Sequence, residues 1–193
     1  MKTIEIIQTE HQNLRAVLYS LEQLVEMIDQ GKQPKFSAFH GLLTYIDRFL
    51  DRYHHPKEND YLFPALLKRE PSCSDLIKEL GRQHGQGERL FVELLKGLSA
   101  YEFSGENEYP AFRSLLLEYT QFQRDHAELE EKEILPQAKA SLKTVDWQLI
   151  DAAFGEHRDP MFTPEWETEF STLFDQLING LPAPVGLGES WQE

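Results

Sequence analysis

His54-His55-Pro56-Lys57-Glu58-Asn59-Asp60-Tyr61-Leu62-Phe63-Pro64 is answered 72 residues later by His126-Ala127-Glu128-Leu129-Glu130-Glu131-Lys132-Glu133-Ile134-Leu135-Pro136. In each copy a histidine is followed four positions on by a glutamate, and the glutamate six positions on by a proline that closes an apolar pair. A lone histidine precedes each copy: His11 lies 43 residues before His54, and His84 lies 42 before His126. The chain therefore reads as two His…His-x3-Glu units.

Spacing of i to i+4 puts histidine and glutamate on one helix face, a turn apart. That face is the apolar one. His11 falls on the line of Ile4, Leu14 and Leu18, and His54 on that of Leu43, Leu50 and Tyr61. His84 falls with Ile77, Leu80, Phe91 and Leu95, and His126 with Phe112, Leu115, Tyr119, Phe122 and Leu129. The same stripes define four helices. The first covers about residues 3–30 and stops at Gly31 and Pro34; the second runs from Phe39 toward Arg69; Ser74 or Asp75 starts the third; Ser104-Gly105-Glu106-Asn107 separates it from the fourth. No segment alternates with period two, so the fold class is all-α, an antiparallel up-down four-helix bundle with short additional C-terminal helices. The expected organisation is a metal-binding bundle over residues 1–141, a helical extension over 142–180 with pieces near 144–154 and 164–179 packed on the bundle, and a mobile Gly/Pro tail over 181–193.

Depth agrees with facing. His11 and His84 lie about eight or nine residues into helices one and three, while His54 and His126 lie ten residues before Pro64 and Pro136 near the ends of helices two and four. In an up-down bundle those starts and ends share a pole, so the four imidazoles and two carboxylates meet at one level.

Composition narrows the chemistry. With 193 residues, 40% hydrophobic and 27% charged, the chain is one ordinary globular domain with an appendage. Its 33 acidic side chains outnumber 19 basic ones, and a net charge of −14 repels a phosphate backbone, so nucleic acid is an unsuitable partner. No apolar run approaches the roughly 18 residues of a membrane span, and Met1-Lys2-Thr3-Ile4-Glu5 opens without the apolar core of a signal peptide, so the expected location is cytoplasmic, without a membrane partner. A single cysteine, Cys73, excludes an intramolecular disulfide and a thiolate zinc site. Any metal must be held by histidine and carboxylate.

Two glutamates and four histidines buried in an apolar seam would cost several kcal/mol for each uncompensated charge. Cations supply the compensation. Neutral imidazoles favour transition metals and carboxylates can bridge two ions, which fits a pair of iron ions joined by Glu58, Glu130 and an oxo or hydroxo bridge, with zinc or manganese as substitutes. A satisfied polar core network is the competing explanation.

These residues resemble the hemerythrin family, specifically the bacterial hemerythrin-like proteins with an HHE cation-binding domain. The resemblance covers about residues 4–140 and rests on His11 in Glu10-His11-Gln12-Asn13-Leu14, on His54-His55-Pro56-Lys57-Glu58 with Leu62-Phe63-Pro64, on His84, and on His126 to Glu131 with Ile134-Leu135-Pro136. It implies a non-haem di-iron centre with His11, His54, His84 and His126 as terminal ligands and Glu58 and Glu130 as bridges. Oxygen-carrying members use five histidines, two of them at i and i+4 on the third helix. Here Glu88 stands four residues after His84, so Glu88 is the expected further ligand, giving a more electron-rich centre less suited to reversible oxygen carriage. His55 points about 100° from His54 on an α-helix, with Pro56 as a source of distortion. His40 reads as a surface residue, His157 as a loop or helix-end residue, and Tyr53, Tyr61 and Tyr119 as core aromatics. Arg158-Asp159-Pro160-Met161-Phe162 looks like a segment that follows this domain in related bacterial proteins.

The expected function is binding or sensing O2, or handling iron, with O2, NO or peroxide as the small ligand. The alternative is a di-iron enzyme acting on nitric oxide or peroxide, or supporting iron-sulfur repair. A ferritin-like oxidase would need Glu-x-x-His, and no histidine here has a glutamate three residues before it. A metal-free helical interaction domain is the remaining class.

Overall fold

The computed structural model describes residues 2–155; the expected helix at 164–179, the tail at 181–193, His157 and Arg158-Asp159-Pro160-Met161-Phe162 lie outside the described residues. The described residues contain helices and no strand. Helix α1 is Lys2–Asp29. It stops in a Schellman turn, where the Gly31 N–H donates to Ile28 and the Lys32 N–H to Met27, a geometry that needs the φ of 81° that Gly31 adopts. Helix α2 is a continuous rod assembled from Phe36–Phe49, Leu50–His54, His55–Lys57, Glu58–Leu62 and Phe63–Arg69. Helix α3 is Ser74–Ser104, ended by Gly105 at φ 88°. Helix α4 runs through Tyr109–Leu129, Glu130–Ile134 and Leu135–Ser141, and helix α5 is Thr144–Gly155. None of these helices is long and apolar enough to cross a membrane.

Three stretches of these rods are π-helical: Leu50–His54, Glu58–Leu62 and Glu130–Ile134. Each ends two residues before a proline, Pro56, Pro64 or Pro136. Proline donates no hydrogen bond, and its ring crowds the carbonyl four residues earlier. Those carbonyls belong to Arg52, Asp60 and Lys132, the middle residue of each π stretch. The helix widens there instead of breaking, and π stretches of this kind recur at functional sites.

Long-range pairs set the antiparallel order. His40 at the start of α2 contacts Glu102 at the end of α3, and Tyr109 at the start of α4 donates to Asp29 at the end of α1. Helix α5 lies against α1 and α2: Asp151 accepts from the Thr3 N–H and hydroxyl, Asp146 accepts two bonds from Arg69, and Trp147, Ile150 and Phe154 are buried.

The core comes in two pieces. One contains Leu14, Leu18, Leu21, Phe39, Leu43, Ile46, Leu94, Leu98, Phe112 and Tyr119; the other contains Ile7, Leu62, Phe63, Leu66, Leu80, Ile134, Leu135, Trp147 and Phe154. Between them in chain order sit His11, His54, Glu58, His84, His126 and Glu130, all buried. A polar layer divides the hydrophobic interior.

The inward face of α3 runs through Leu80, His84, Gly87, Phe91, Leu94, Leu98 and Tyr101, alternating steps of four and three. This is the 3.5-residue seam of near-parallel helix packing. Leu95, expected on the stripe, therefore turns outward and is 37% exposed, while Leu94 is fully buried. Leu94→Ala should cost about 2–5 kcal/mol of unfolding free energy and Leu95→Ala under about 1 kcal/mol. Urea denaturation of the two variants checks the phase of the helix.

Candidate metal centre

The rings of His11, His54, His84 and His126 are each held by Nδ1. His11 Nδ1 lies 3.0 Å from Glu131, His54 Nδ1 2.8 Å from Glu10, His84 Nδ1 3.2 Å from Asn59 and His126 Nδ1 2.9 Å from Gln83. Each partner is an oxygen that accepts, so each Nδ1 donates and each Nε2 is turned toward the interior of the layer, where His11 Nε2 and His54 Nε2 lie 3.2 Å apart. The anchors obey the internal repeat. Glu10 and Gln83 immediately precede the lone histidines, and each anchors the second histidine of its own unit. Asn59 and Glu131 immediately follow the glutamates, and each anchors the lone histidine of the opposite unit.

The Nε2 atoms converge on the carboxylates. His54 Nε2 is 3.3 Å from Glu58 Oε1, while His84 Nε2 is 3.7 Å from Glu58 Oε2. His11 Nε2 is 3.3 Å from Glu130 Oε2, while His126 Nε2 is 3.7 Å and His84 Nε2 3.9 Å from Glu130 Oε1. Each glutamate thus turns one oxygen toward His11 and His54 and the other toward His84 and His126. Ligand atoms of His11, His54, Glu58 and Glu130 lie within 4.8 Å of one another, and so do those of His55, His84 and His126.

Such separations suit donors around a shared cation. Two donors each about 2.1 Å from one ion lie roughly 3–4 Å apart. The separations of 3.7–3.9 Å are too long for hydrogen bonds, and His84 Nε2, His126 Nε2, Glu58 Oε2 and Glu130 Oε1 are buried polar atoms without a hydrogen-bond partner. Orphaned acceptors and lone pairs facing one another are costly unless a cation sits among them. The donor set of imidazole and carboxylate, with no thiolate, fits a transition metal.

The electrostatics carry the same strain. Burial holds His54 well below the usual imidazole range, His84 down at about 2 and His126 at about 4. Burial also disfavours the charged form of His11, but the carboxylates of Glu130 and Glu131 outweigh it and raise that pKa to about 9. Burial and then the facing Glu130 push Glu58 far above the carboxylate range. Glu130 would follow by burial alone, yet His126 and His11 hold it down at about 2.

Two expectations for the ligand set require correction. Glu88 is exposed, because the α3 seam passes from His84 through Gly87 and leaves position 88 on the solvent side. The further imidazole beside His84 and His126 is that of His55 on α2. His55 is buried, its ring stacks on His84 at 3.9 Å between centroids and meets His126 at 5.6 Å. The preceding π stretch Leu50–His54 widens the turn, so successive residues diverge by less than an α-helix requires, and His54 and His55 reach one centre. Sequence reasoning also passed over Glu10, Glu131, Asn59 and Gln83; their signal was their matched position beside each unit's histidine or glutamate. His40 is a surface residue paired with Glu102, as expected.

Comparison with known proteins agrees with this geometry. The hemerythrin HHE cation-binding domain matches residues 2–138. The chain belongs to the hemerythrin HHE family. Three relatives, described as uncharacterized proteins from two strains of Mycobacterium tuberculosis and from Mycobacterium bovis, are each 20% identical over 175 residues, covering 91% of this chain and 67% of each relative. The family assignment and the buried His/Glu groups together make this a metal-binding helical bundle.

The pKa directions give a pH prediction for metal-free protein. His54, His84 and His126 are depressed in the fold, so the unfolded chain takes up three protons first as pH falls below about 6.5, and stability drops toward pH 4. Glu58, raised by burial, opposes this below neutrality but is one group against three. His11, raised to about 9, contributes its full stabilisation below 6.5 and loses it as pH climbs through 9. Stability measured by urea titration should therefore peak near neutrality. A flat profile between pH 4.5 and 9 would contradict the buried layer.

Proposed function

We propose that this protein is a non-haem di-iron protein that binds or senses O2. The reading rests on one observation above all: Glu58 and Glu130 each divide their two oxygens between two histidine groups, as carboxylates bridging two ions must. His11 and His54 would serve one iron, and His55, His84 and His126 the other. That makes five imidazoles and two carboxylates, the ligand count of the oxygen-carrying members, with His55 in the role expected of Glu88.

Bound iron would supply reversible one-electron chemistry toward O2. The chain's own groups would fix the conditions for it. Glu10, Glu131, Asn59 and Gln83 hold the imidazoles with Nε2 inward, and the two apolar clusters on either side exclude water. The position served by His11 and His54 has fewer imidazoles, and a small ligand would add there. Turnover of nitric oxide or peroxide, or iron supply for cluster repair, would use the same ions.

Elemental analysis and an optical spectrum of protein purified without oxygen test the proposal. Two irons per chain and a near-ultraviolet to visible band that appears with O2 and disappears on its removal are expected. Peroxide or nitric oxide consumption well above that of free iron, without a reversible band, would replace the reading with the enzymatic one. Among variants, Glu58→Ala and Glu130→Ala should lower iron content and melting temperature together. His55→Ala should lower iron toward one per chain, whereas Glu88→Ala should leave it unchanged.

A further inference from the structure

The four anchors are not chemically equal, and their distribution follows the two halves of the layer. His11 and His54 both donate Nδ1–H to carboxylates, Glu131 and Glu10; His84 and His126 both donate to amide oxygens, of Asn59 and Gln83. Both carboxylates are in turn held by a cationic side chain. Glu131 accepts two bonds from Arg15, at 3.0 and 2.9 Å. Glu10 accepts from Lys57 at 2.7 Å, and that buried ammonium rests 3.6 Å from the centre of the Tyr53 ring and 4.9 Å from that of Phe154. A carboxylate accepting the distal N–H of a metal-bound imidazole makes the ring a stronger donor, and loss of such a partner commonly lowers metal affinity 10- to 100-fold. The glutamate oxygens lean the same way. They lie 3.3 Å from His11 and His54 but 3.7–3.9 Å from His84 and His126.

Resting on the two-ion reading above, we propose that Glu10 and Glu131 are positioning residues that make the two cation positions unequal, so that the His11–His54 position fills first and holds its ion more tightly. Lys57 and Arg15 hold those anchors in place.

The test uses full-length protein stripped of metal and titrated with Fe(II) in the absence of oxygen. Wild type should bind two equivalents in separable steps, and 57Fe Mössbauer spectra at one equivalent should show a single quadrupole doublet. Glu131→Gln and Glu10→Gln should weaken the tighter step about 10- to 100-fold and leave the weaker step in place; the first equivalent should then divide between two doublets. Gln83→Glu offers a gain that no folding defect could imitate: it should tighten the weaker step and bring the two closer together. Two bound irons whose steps both shift equally, or do not shift, in Glu10→Gln and Glu131→Gln would overturn this inference while sparing the two-ion reading. Failure of wild type to bind Fe(II) would overturn both.

Discussion

Five imidazoles and two carboxylates are packed into the middle of a helical bundle with their ligand atoms turned toward one another, and the remainder of the structure is organised around that crowding of polar groups. His84 Nε2 and His126 Nε2, 3.7–3.9 Å from the carboxylate oxygens and without a hydrogen-bond partner, gain nothing from that arrangement by themselves. A protonated His11 caught between Glu130 and Glu131, and a proton held by Glu58, relieve part of the tension in the metal-free chain. Cations among these groups would relieve the rest, because each provides a positive partner for the buried nitrogens and oxygens that lack one.

Holding the donors in place takes two devices, both written into the repeat. Prolines six residues after each glutamate force π stretches at Glu58–Leu62 and Glu130–Ile134, which begin at the glutamates themselves. Anchors one residue away from the lone histidines and the glutamates then fix the ring orientations, crossing between the two units so that neither half forms its site alone. Helix α5 closes the polar layer's outer core, since Phe154 reaches the Lys57 ammonium that braces Glu10.

Much of this was legible in the sequence. Paired spacing of His11, His54, His84 and His126 located the helices, their facing and their common depth, because each histidine sits on a periodic apolar stripe. What escaped were deviations from ideal α-helical phase. Counting four from His84 puts Glu88 among the expected ligands, but packing against neighbouring helices imposes a 3.5-residue seam through Gly87, Leu94 and Tyr101. The same seam moved Leu95 to the surface. The converse holds at His55, which diverges by about 100° from His54 only on an ideal α-helix, whereas the Leu50–His54 stretch is π-helical; Pro56 is the signal, and it has no counterpart in the second copy, where Ala127 and Glu128 stand. The ring anchors form only between distant helices, so their adjacency to the ligands along the chain gained meaning once the fold brought the units together.

Calorimetric melting of the full chain before and after removal of metal by a chelator, with Fe(II) restored anaerobically, bears most directly on the claim that cations stabilise this layer. The account predicts that the stripped protein melts several degrees lower and that the transition recovers as two equivalents are added, since an ion that binds only the folded chain raises its stability by mass action. A melting temperature indifferent to both stripping and reconstitution would contradict it.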